Sequence, residues 1–243
     1  MALPIVNSSR YTTVIPSTGQ QVDFRPYVVK EEKLLLIALE SKSDKMIVKA
    51  LKDVIQACVY DKIDMNKLTT FDLEHLFLQL RSKSVGEKIE VKLKCESCET
   101  SNDVVINLNK TEIANLNQVE ENIIMINDKV GVKLNYVLMK DLEKETDSSN
   151  DSYESILNLI VNCTEMIFDD EKIYDKSNTS ANEIKEFYES LYGEQFAKVS
   201  KFFENLPYLK YDLHYNCSNC GHKNEYEIKG LSSFFMLASL TKA

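Results

Sequence analysis

Apolar and polar residues follow two different periods along the first part of the chain. Residues 11–15 and 21–25 are rich in residues that favour strands, with alternation at 21–25, and the segment between them, Pro16-Ser17-Thr18-Gly19, has the Pro and Gly that tight turns favour. This pattern predicts a β-hairpin. Apolar residues then recur every three or four positions, which predicts helices at residues 29–40, at residues 44–60 and from Thr69 onward.

The same two periods continue to the end of the chain. Two β-rich stretches at residues 123–126 and 130–137 predict a second hairpin, and alternation predicts further strands at residues 89–93, 104–108, 208–215 and 224–228. Helical spacing predicts helices at residues 153–166, 181–191 and 194–206, and an apolar helix within residues 231–243. Since helices and strands both occur without a regular βαβ alternation, the predicted fold class is α+β.

Two of the six cysteines fall on predicted core faces. Cys58 lies on one helical stripe, and Cys163 follows Ile160 and Val161, so both are interpreted as small core residues. The stripe that contains Cys58 also includes Ile47, Leu51, Val54 and Ile55. His75 lies on a helix without an acid or base pattern around it, and we expect a half-buried, hydrogen-bonded histidine.

Charged residues are distributed unevenly along the chain. The net charge is −9, yet residues 141–205 alone hold 16 Asp and Glu against 6 Lys, and the rest is nearly neutral. The charge split predicts two parts of different character, and together with the predicted elements it divides the chain into four parts. They are an N-terminal hairpin with helices (1–88), a β module in two pieces (89–140 and 207–230), an acidic helical insertion (141–206) and a C-terminal apolar helix (231–243). The acidic segment is interpreted as a solvated helical face, or alternatively as a surface for a basic protein.

Composition narrows the function classes. Apolar residues make up 44% and charged residues 28%, which is typical of a soluble globular protein. We expect no membrane span, because the apolar runs are far shorter than about 18 residues, and no secretory signal at the N-terminus. The acidic net charge argues against general nucleic-acid binding. No Walker loop, Gly-x-Ser-x-Gly or His-Glu-x-x-His sequence occurs, so no enzyme is expected.

The most specific motif is a repeated Cys-x-x-Cys. One pair is Cys95 and Cys98, the other is Cys217 and Cys220, and a predicted strand enters and leaves each pair. Two such turns that face each other supply the four thiolates of a tetrahedral Zn²⁺ site, as in a zinc ribbon. Four cysteine ligands leave no open coordination position, so the predicted zinc is structural.

The spacing departs from that of ordinary zinc ribbons. Their pairs are separated by about 15–20 residues, whereas 118 residues lie between Cys98 and Cys217. An iron–sulfur cluster, a redox pair and unliganded thiols remain as alternatives. His214 and His222 could each replace a cysteine, although a position at the rim, with a hydrogen bond from His222 to a ligand, is favoured. The carboxylates of Asp169-Asp170-Glu171 are interpreted as a solvated acidic loop.

The order of features resembles a known family. A hairpin ending in Val22-Asp-Phe-Arg-Pro-Tyr-Val-Val-Lys-Glu-Glu-Lys33 is followed by Leu34-Leu-Leu-Ile-Ala-Leu-Glu-Ser41 and then by Phe71-Asp-Leu-Glu-His-Leu-Phe-Leu-Gln-Leu-Arg-Ser-Lys-Ser-Val-Gly-Glu87, which runs into the first cysteine pair. This arrangement resembles the baseplate hub and hub-assembly proteins of T-even-type (bacteriophage T4-like) contractile-tailed phages. The resemblance covers nearly the full length.

The resemblance implies a non-enzymatic protein with other hub or tail proteins as partners. It would work in the host cytoplasm during phage assembly or in the tail baseplate of the virion, and Cys95, Cys98, Cys217 and Cys220 carry over as its metal knuckles. The alternative function is a zinc-ribbon accessory protein that binds nucleic acid. Acidic residues lie close to the lysines beside the knuckles, which weakens that alternative.

Surplus apolar residues are the remaining candidates for partner contacts. Phe71 and Leu78 fall on the far side of the third helix, and Phe234, Phe235, Met236 and Leu240 fall in the C-terminal segment. Each group is interpreted as core when taken alone. Together with the acidic segment, they make a protein-binding surface a working hypothesis.

Overall fold

A computed structural model describes residues 8–116, 122–141 and 152–231. Its α-helices are α1 (Val29–Glu40), α2 (Asp44–Cys58), α3 (Thr70–Ser84), α4 (Ser152–Cys163), α5 (Ala181–Glu189) and α6 (Gly193–Glu204). Its strands are β1 (Tyr11–Val14), β2 (Gln21–Phe24), β3 (Lys88–Lys94), β4 (Ser101–Asn107), β5 (Glu112–Ala114), β6 (Ile123–Met125), β7 (Gly131–Leu134), β8 (Thr164–Phe168), β9 (Ile173–Asp175), β10 (Tyr208–Asn216) and β11 (Lys223–Lys229). Short 3₁₀ turns occupy Met65–Lys67 and Leu108–Lys110. The fold class is α+β, as predicted.

The chain divides into two compact units. The first contains Met1–Met65, Phe71–Ala114 and Tyr208–Ala243, and the second contains Asn66–Thr70 and Asn115–Pro207. The second unit therefore holds β6 and β7 together with the helices of the acidic segment. The four-part division made from the sequence stays a prediction, and the predicted C-terminal helix, with Phe234, Phe235, Met236 and Leu240, lies outside the described residues.

The first unit begins with the predicted hairpin and helices. Strands β1 and β2 pair antiparallel, and Gly19, with φ of 70°, lies in the turn that joins them. Asp72 at the start of α3 accepts hydrogen bonds from the backbone N–H and the hydroxyl of Ser17, at 2.9 and 2.6 Å. These bonds fix the hairpin turn to α3.

Helix α3 is buried on both sides. Phe71 and Leu78 are 2% and 1% exposed, so they are core residues and not a surface for partners. Their interpretation as core when taken alone is confirmed, and the working hypothesis that they contribute to a protein-binding surface was wrong, because a helix enclosed by neighbouring elements can carry apolar residues all round. His75 on the same helix is half-buried and lies 3.2 Å from the Thr13 hydroxyl, as the sequence predicted.

The second unit is built on a four-stranded antiparallel sheet with the order β6-β7-β8-β9. The predicted helix at residues 153–166 ends at Cys163, and Thr164 starts strand β8. The Thr164 hydroxyl donates to the Ile160 carbonyl and also contacts the Tyr188 hydroxyl, both at 2.8 Å. The β-branched residues Thr164 and Ile167 favour the strand, so the insertion is not purely helical.

Cys58 and Cys163 are core residues, as the sequence predicted. Each is 1% exposed. Burial raises the pKa of the Cys58 thiol to about 11 and that of the Cys163 thiol to about 12. Both therefore remain protonated at neutral pH, and neither takes part in the site described next.

Candidate metal centre

The other four cysteines lie at the ends of two β-hairpins with the same register. Strands β3 and β4 form the first hairpin, and Lys94 pairs with Ser101 beside its turn. Strands β10 and β11 form the second, and Asn216 pairs with Lys223 at the equivalent place. In each hairpin the first cysteine directly follows the entering strand. The sequence predicted both strand pairs because each side of the turn alternates.

The two turns have the same backbone hydrogen bonds. In the first turn, the Cys95 N–H donates to the Thr100 carbonyl at 3.0 Å, and the Glu99 N–H donates back to the Cys95 carbonyl at 2.9 Å. In the second turn, the Cys217 N–H donates to the His222 carbonyl at 2.8 Å, and the Gly221 N–H donates to the Cys217 carbonyl at 3.0 Å. We call each cysteine turn, residues 95–100 and residues 217–222, a knuckle. The two knuckles therefore have the same local structure.

Each knuckle needs one residue in the left-handed region directly after its second cysteine. Gly221 has φ of 71°, and Glu99 has φ of 56° at the equivalent position. Glycine adopts this conformation without steric cost, whereas a side chain with a Cβ does not. The conformation reverses the chain and returns it to the outgoing strand.

The four sulfur atoms converge on one point. Sγ of Cys95 lies 3.7 Å from Sγ of Cys220, and Sγ of Cys98 lies 3.6 Å from Sγ of Cys217. All four lie within 4.8 Å of one another. Sulfurs bound at about 2.3 Å to one tetrahedral ion are about 3.8 Å apart. These two separations match that value, and they are far longer than the 2.05 Å or so of a disulfide bond.

Two asparagines join the knuckles to each other. Asn102 on β4 accepts hydrogen bonds from the N–H and the hydroxyl of Ser218, at 2.8 and 3.0 Å. Its amide donates to the Thr100 carbonyl at 2.8 Å and points at Sγ of Cys217 from 3.7 Å. Asn102 is 6% exposed, so these bonds are shielded from water.

Asn224 on β11 makes the corresponding contacts in the opposite direction. It accepts the Glu96 N–H at 3.0 Å, and its amide donates to the His222 carbonyl at 3.1 Å. Neither asparagine was predicted from the sequence as part of the site. A signal was present, because each motif reads Cys-x-x-Cys-x-x-x-Asn, with Asn102 and Asn224 seven residues after the first cysteine.

The knuckles distribute charge unequally among the thiols. Hydrogen bonding to Thr100 lowers the pKa of Cys98 to about 6, and the backbone N–H of Cys220 lowers the pKa of Cys217. For Cys220, the His222 N–H lowers the pKa, but the nearby sulfurs and burial outweigh this effect and raise it to about 12. Four negative sulfurs at these distances would repel one another strongly, which is why the pKa of Cys220 is raised, and a cation between them would remove that repulsion.

The chain was compared with known proteins. The profile of a family described as T4 bacteriophage base plate protein matches residues 8–236. The chain belongs to this family. Neither the curated proteins nor the solved structures contain a match to it. The match that assigns this baseplate protein to the family covers nearly all of its sequence, including both knuckles.

Two of the three histidines, His214 and His222, belong to the second cysteine hairpin of this baseplate protein. His222 contributes its backbone to the second knuckle, through the carbonyl that accepts the Cys217 N–H. The His214 side chain is exposed and lies 3.7 Å from a carboxylate oxygen of Glu225. Among the described residues, the group of possible metal ligands contains the four cysteines and neither histidine, and the predicted rim position stays a prediction. The side-chain hydrogen bond predicted from His222 to a ligand stays a prediction.

Asp169 lies in the turn between β8 and β9. One carboxylate oxygen accepts the backbone N–H groups of Glu171 and Lys172, both at 2.8 Å. These bonds show that Asp169 stabilises the turn between the two strands, which accounts for its place in the carboxylate cluster.

Within residues 8–116, 122–141 and 152–231, no helix has the length and apolar character that a membrane crossing requires.

Proposed function

We propose that this protein is a non-enzymatic component or assembly factor of the phage baseplate hub that acts through contacts with other tail proteins. The observation that carries the proposal is the family match over residues 8–236. The family supports a structural role in the baseplate. The hub as the location, and the choice between a virion component and an assembly factor, belong to the proposal.

We further propose that Cys95, Cys98, Cys217 and Cys220 bind one structural Zn²⁺. Convergence of the four sulfurs within 4.8 Å supports this assignment. Four thiolates form a soft donor set that suits Zn²⁺ and fill its tetrahedral shell, so no position is left for substrate or water. The ion would neutralise thiolates that otherwise repel one another.

A bound zinc ion would crosslink the two cysteine hairpins of the first unit. The two hairpins are distant in sequence, since 118 residues separate Cys98 from Cys217. The ion would tie β3 and β4 to β10 and β11, and thus join two distant segments of the first unit. Because an unfolded chain has no preformed four-sulfur site, the free energy of binding adds to the stability of the fold.

The nucleic-acid alternative has weaker support. Lys210, in strand β10 of the second hairpin, forms ion pairs with Asp212 at 2.9 Å and with Glu227 at 3.7 Å. Neighbouring carboxylates of this kind reduce the positive potential that phosphate binding requires. A gel-shift assay at low ionic strength should show no retardation of DNA or RNA, whereas retardation that decreases with salt would favour the alternative.

Mass spectrometry of purified virions and of infected-cell extracts tests the hub proposal. We expect the chain in association with hub or tail proteins in at least one of the two samples. Its presence in washed virions would establish a component, and its restriction to hub intermediates in the extract would establish an assembly factor. Absence from both hub intermediates and virions of a phage that expresses the chain would contradict the proposal.

A further inference from the structure

The four-stranded sheet of the second unit has an inner and an outer side. Val132, Leu134 and Ile167 point to the inner side, where they share one apolar core with residues of α4, α5 and α6. All three are at most 6% exposed. Successive side chains of a strand point to opposite sides of a sheet, so the residues that alternate with these three form the outer side. We call its six uncharged residues the outer face, and they are Ile123, Met125, Gly131, Met166, Phe168 and Ile173.

The outer face is a contiguous apolar surface that is open to solvent. Ile123, Met125 and Ile173 are 42%, 44% and 53% exposed, and Phe168 is half-buried. Gly131 lies between Met125 and Phe168 in one cross-strand row. A Cβ at Gly131 would lie 2.3 Å from Cζ of Phe168 and 2.9 Å from Sδ of Met125, so these two side chains lie over the glycine and close the gap between them. Single exposed apolar residues are ordinary, whereas a contiguous group indicates an interaction surface.

Side chains occupy backbone groups at both edges of this sheet. At the β6 edge, the Lys198 ammonium donates to the Met125 carbonyl at 3.2 Å. At the β9 edge, the Asn178 amide donates to the Ile173 carbonyl at 3.1 Å, and its oxygen accepts the Asp175 N–H at 3.0 Å. A partner that extends a sheet by one strand needs free backbone groups along the edge. These contacts hinder such pairing, so the outer face is the surface that the sheet offers to a partner.

One end of the outer face has an acidic border. The β6–β7 turn and the β8–β9 turn lie together at this end, because Gly131 of β7 pairs both with Met125 and with Phe168. Residues 126–130 and 169–172 contain four acids, Asp128, Asp169, Asp170 and Glu171, against two bases, Lys129 and Lys172. Lys129 is already paired with Asp170 at 3.7 Å, and the Lys172 ammonium lies over the Tyr174 ring at 4.9 Å. The border therefore complements a partner with positive charge at this end.

We propose that the outer face binds another protein through an apolar surface that carries Lys or Arg where it meets the two turns. Apolar side chains would form the centre of this contact and the charge pairs its rim. The proposal rests on the proposed function, since it names the surface and the class of partner through which this chain would contact tail proteins. Four strands about 4.8 Å apart make the face only about 15 Å wide, so it buries less than the roughly 800 Å² per partner of a standard interface. We therefore expect a reversible contact.

Covalent capture suits a reversible contact. The phage expresses the full chain with the photoreactive amino acid p-benzoylphenylalanine in place of Ile123 or, separately, of Ile173, and infected cells are irradiated. Both positions are exposed, so the ring does not enter the core. We expect one main product at each position, in which mass spectrometry locates the attachment on an apolar segment of a second protein that is flanked by Lys or Arg. Glu189 is exposed at the end of α5, and the same amino acid there is the matched control that should give no such product.

Charge reversal tests the complementarity of the partner. Glu171→Lys should lower the yield of the crosslink from position 123 about threefold or more, because a lysine would then face the basic side chains of the partner. Only the backbone N–H of Glu171 bonds to Asp169, so the turn can keep its structure. Glu186 is exposed on α5, and Glu186→Lys makes the same change of charge away from the outer face and should leave the yield unchanged.

Several results would overturn the proposal. They are a yield at positions 123 and 173 no greater than at the control position, a product that joins this chain only to itself, and a partner segment without basic residues. A yield that Glu171→Lys raises or leaves unchanged would overturn it as well. Capture of a basic partner that is not a tail protein would support the docking face and contradict the hub proposal. No capture, in a phage whose hub or tail proteins are found with this chain, would contradict the docking face alone.

Discussion

Asn102 and Asn224 occupy equivalent positions in the two hairpins, and each accepts a backbone N–H from the knuckle of the other hairpin. Each amide also donates to a carbonyl in its own knuckle. The cysteine turns are therefore held together by protein hydrogen bonds as well as by any ion. Groups behind the ligands orient them, and their loss typically weakens metal binding by about 10- to 100-fold.

Replacement of either asparagine should therefore weaken zinc binding. We expect Asn102→Ala and Asn224→Ala each to lower the affinity by about 10- to 100-fold, measured by competition with a chromophoric chelator. Asn102→Ala should have the larger effect, because the Asn102 amide also faces Sγ of Cys217. Asn109 is exposed near the end of β4, and Asn109→Ala should bind zinc as tightly as the wild type. Equal affinities in all four proteins would contradict the role of the asparagines.

Glu99 and Gly221 share the left-handed backbone conformation, so we expect substitutions at these two positions to change stability in opposite directions. Gly221→Ala should lower the free energy of unfolding by about 1 kcal/mol, because a Cβ disfavours a φ of 71°. A Cβ at that position would meet no atom within 4 Å, so the cost is conformational and not a clash. Glu99→Gly should raise the free energy of unfolding by up to about 1 kcal/mol, since Glu99 has the same conformation.

Denaturant unfolding of the zinc-loaded protein measures both effects. Glu99→Ala is the control, because it removes the carboxylate but keeps the Cβ, and it should change stability little. Destabilisation by Glu99→Gly, or no effect of Gly221→Ala, would show that the two positions do not impose the same constraint.

The lowered pKa of His75 leads us to expect that the free energy of unfolding depends on pH. Burial lowers the pKa of His75 below its ordinary value, and the charge of Asp72 only partly opposes this effect. Between the lowered value and about 6.5, the unfolded chain binds more protons than the folded chain, so this histidine makes stability rise with pH. His75→Gln keeps a hydrogen-bonding group near Thr13 but does not titrate.

Urea unfolding at pH 5 and pH 7.5 checks this prediction. The stability of the wild type relative to His75→Gln should be lower at pH 5 than at pH 7.5. The comparison cancels the release of metal at low pH, which affects both proteins alike. A difference that stays constant, or that changes in the opposite direction, would contradict the assignment of a lowered pKa.

Local patterns predicted much of the fold. The turn with Gly19 and the alternating segments on either side of each cysteine pair indicated strands at the correct places, because a half-buried hairpin needs that period. Because these segments form a hairpin around each cysteine pair, the four cysteines lie at equivalent ends of the two hairpins. Their convergence could be expected from the paired motifs, although 118 residues separate them.

Which apolar residues of a helix are buried depends on tertiary packing and could not be predicted from the sequence pattern. The apolar residues of Phe71–Leu78 and of Leu34–Ile37 look alike in sequence, yet the first group is buried and several members of the second are exposed. Which apolar side of a helix is covered depends on its neighbours, and those come from distant parts of the chain. Thr164 shows a similar limit, since a helical pattern continued through residues that pair with β7 and β9.

Cysteine replacement combined with elemental analysis tests the central claim of a structural four-cysteine zinc site most directly. Purified wild type should contain about one zinc per chain, and Cys217→Ser should contain almost none and unfold at a lower temperature. Cys58→Ala, a buried cysteine outside the cluster, should retain the full amount of zinc. A wild type without stoichiometric zinc, with iron in its place, or with zinc unaffected by Cys217→Ser, would contradict the account.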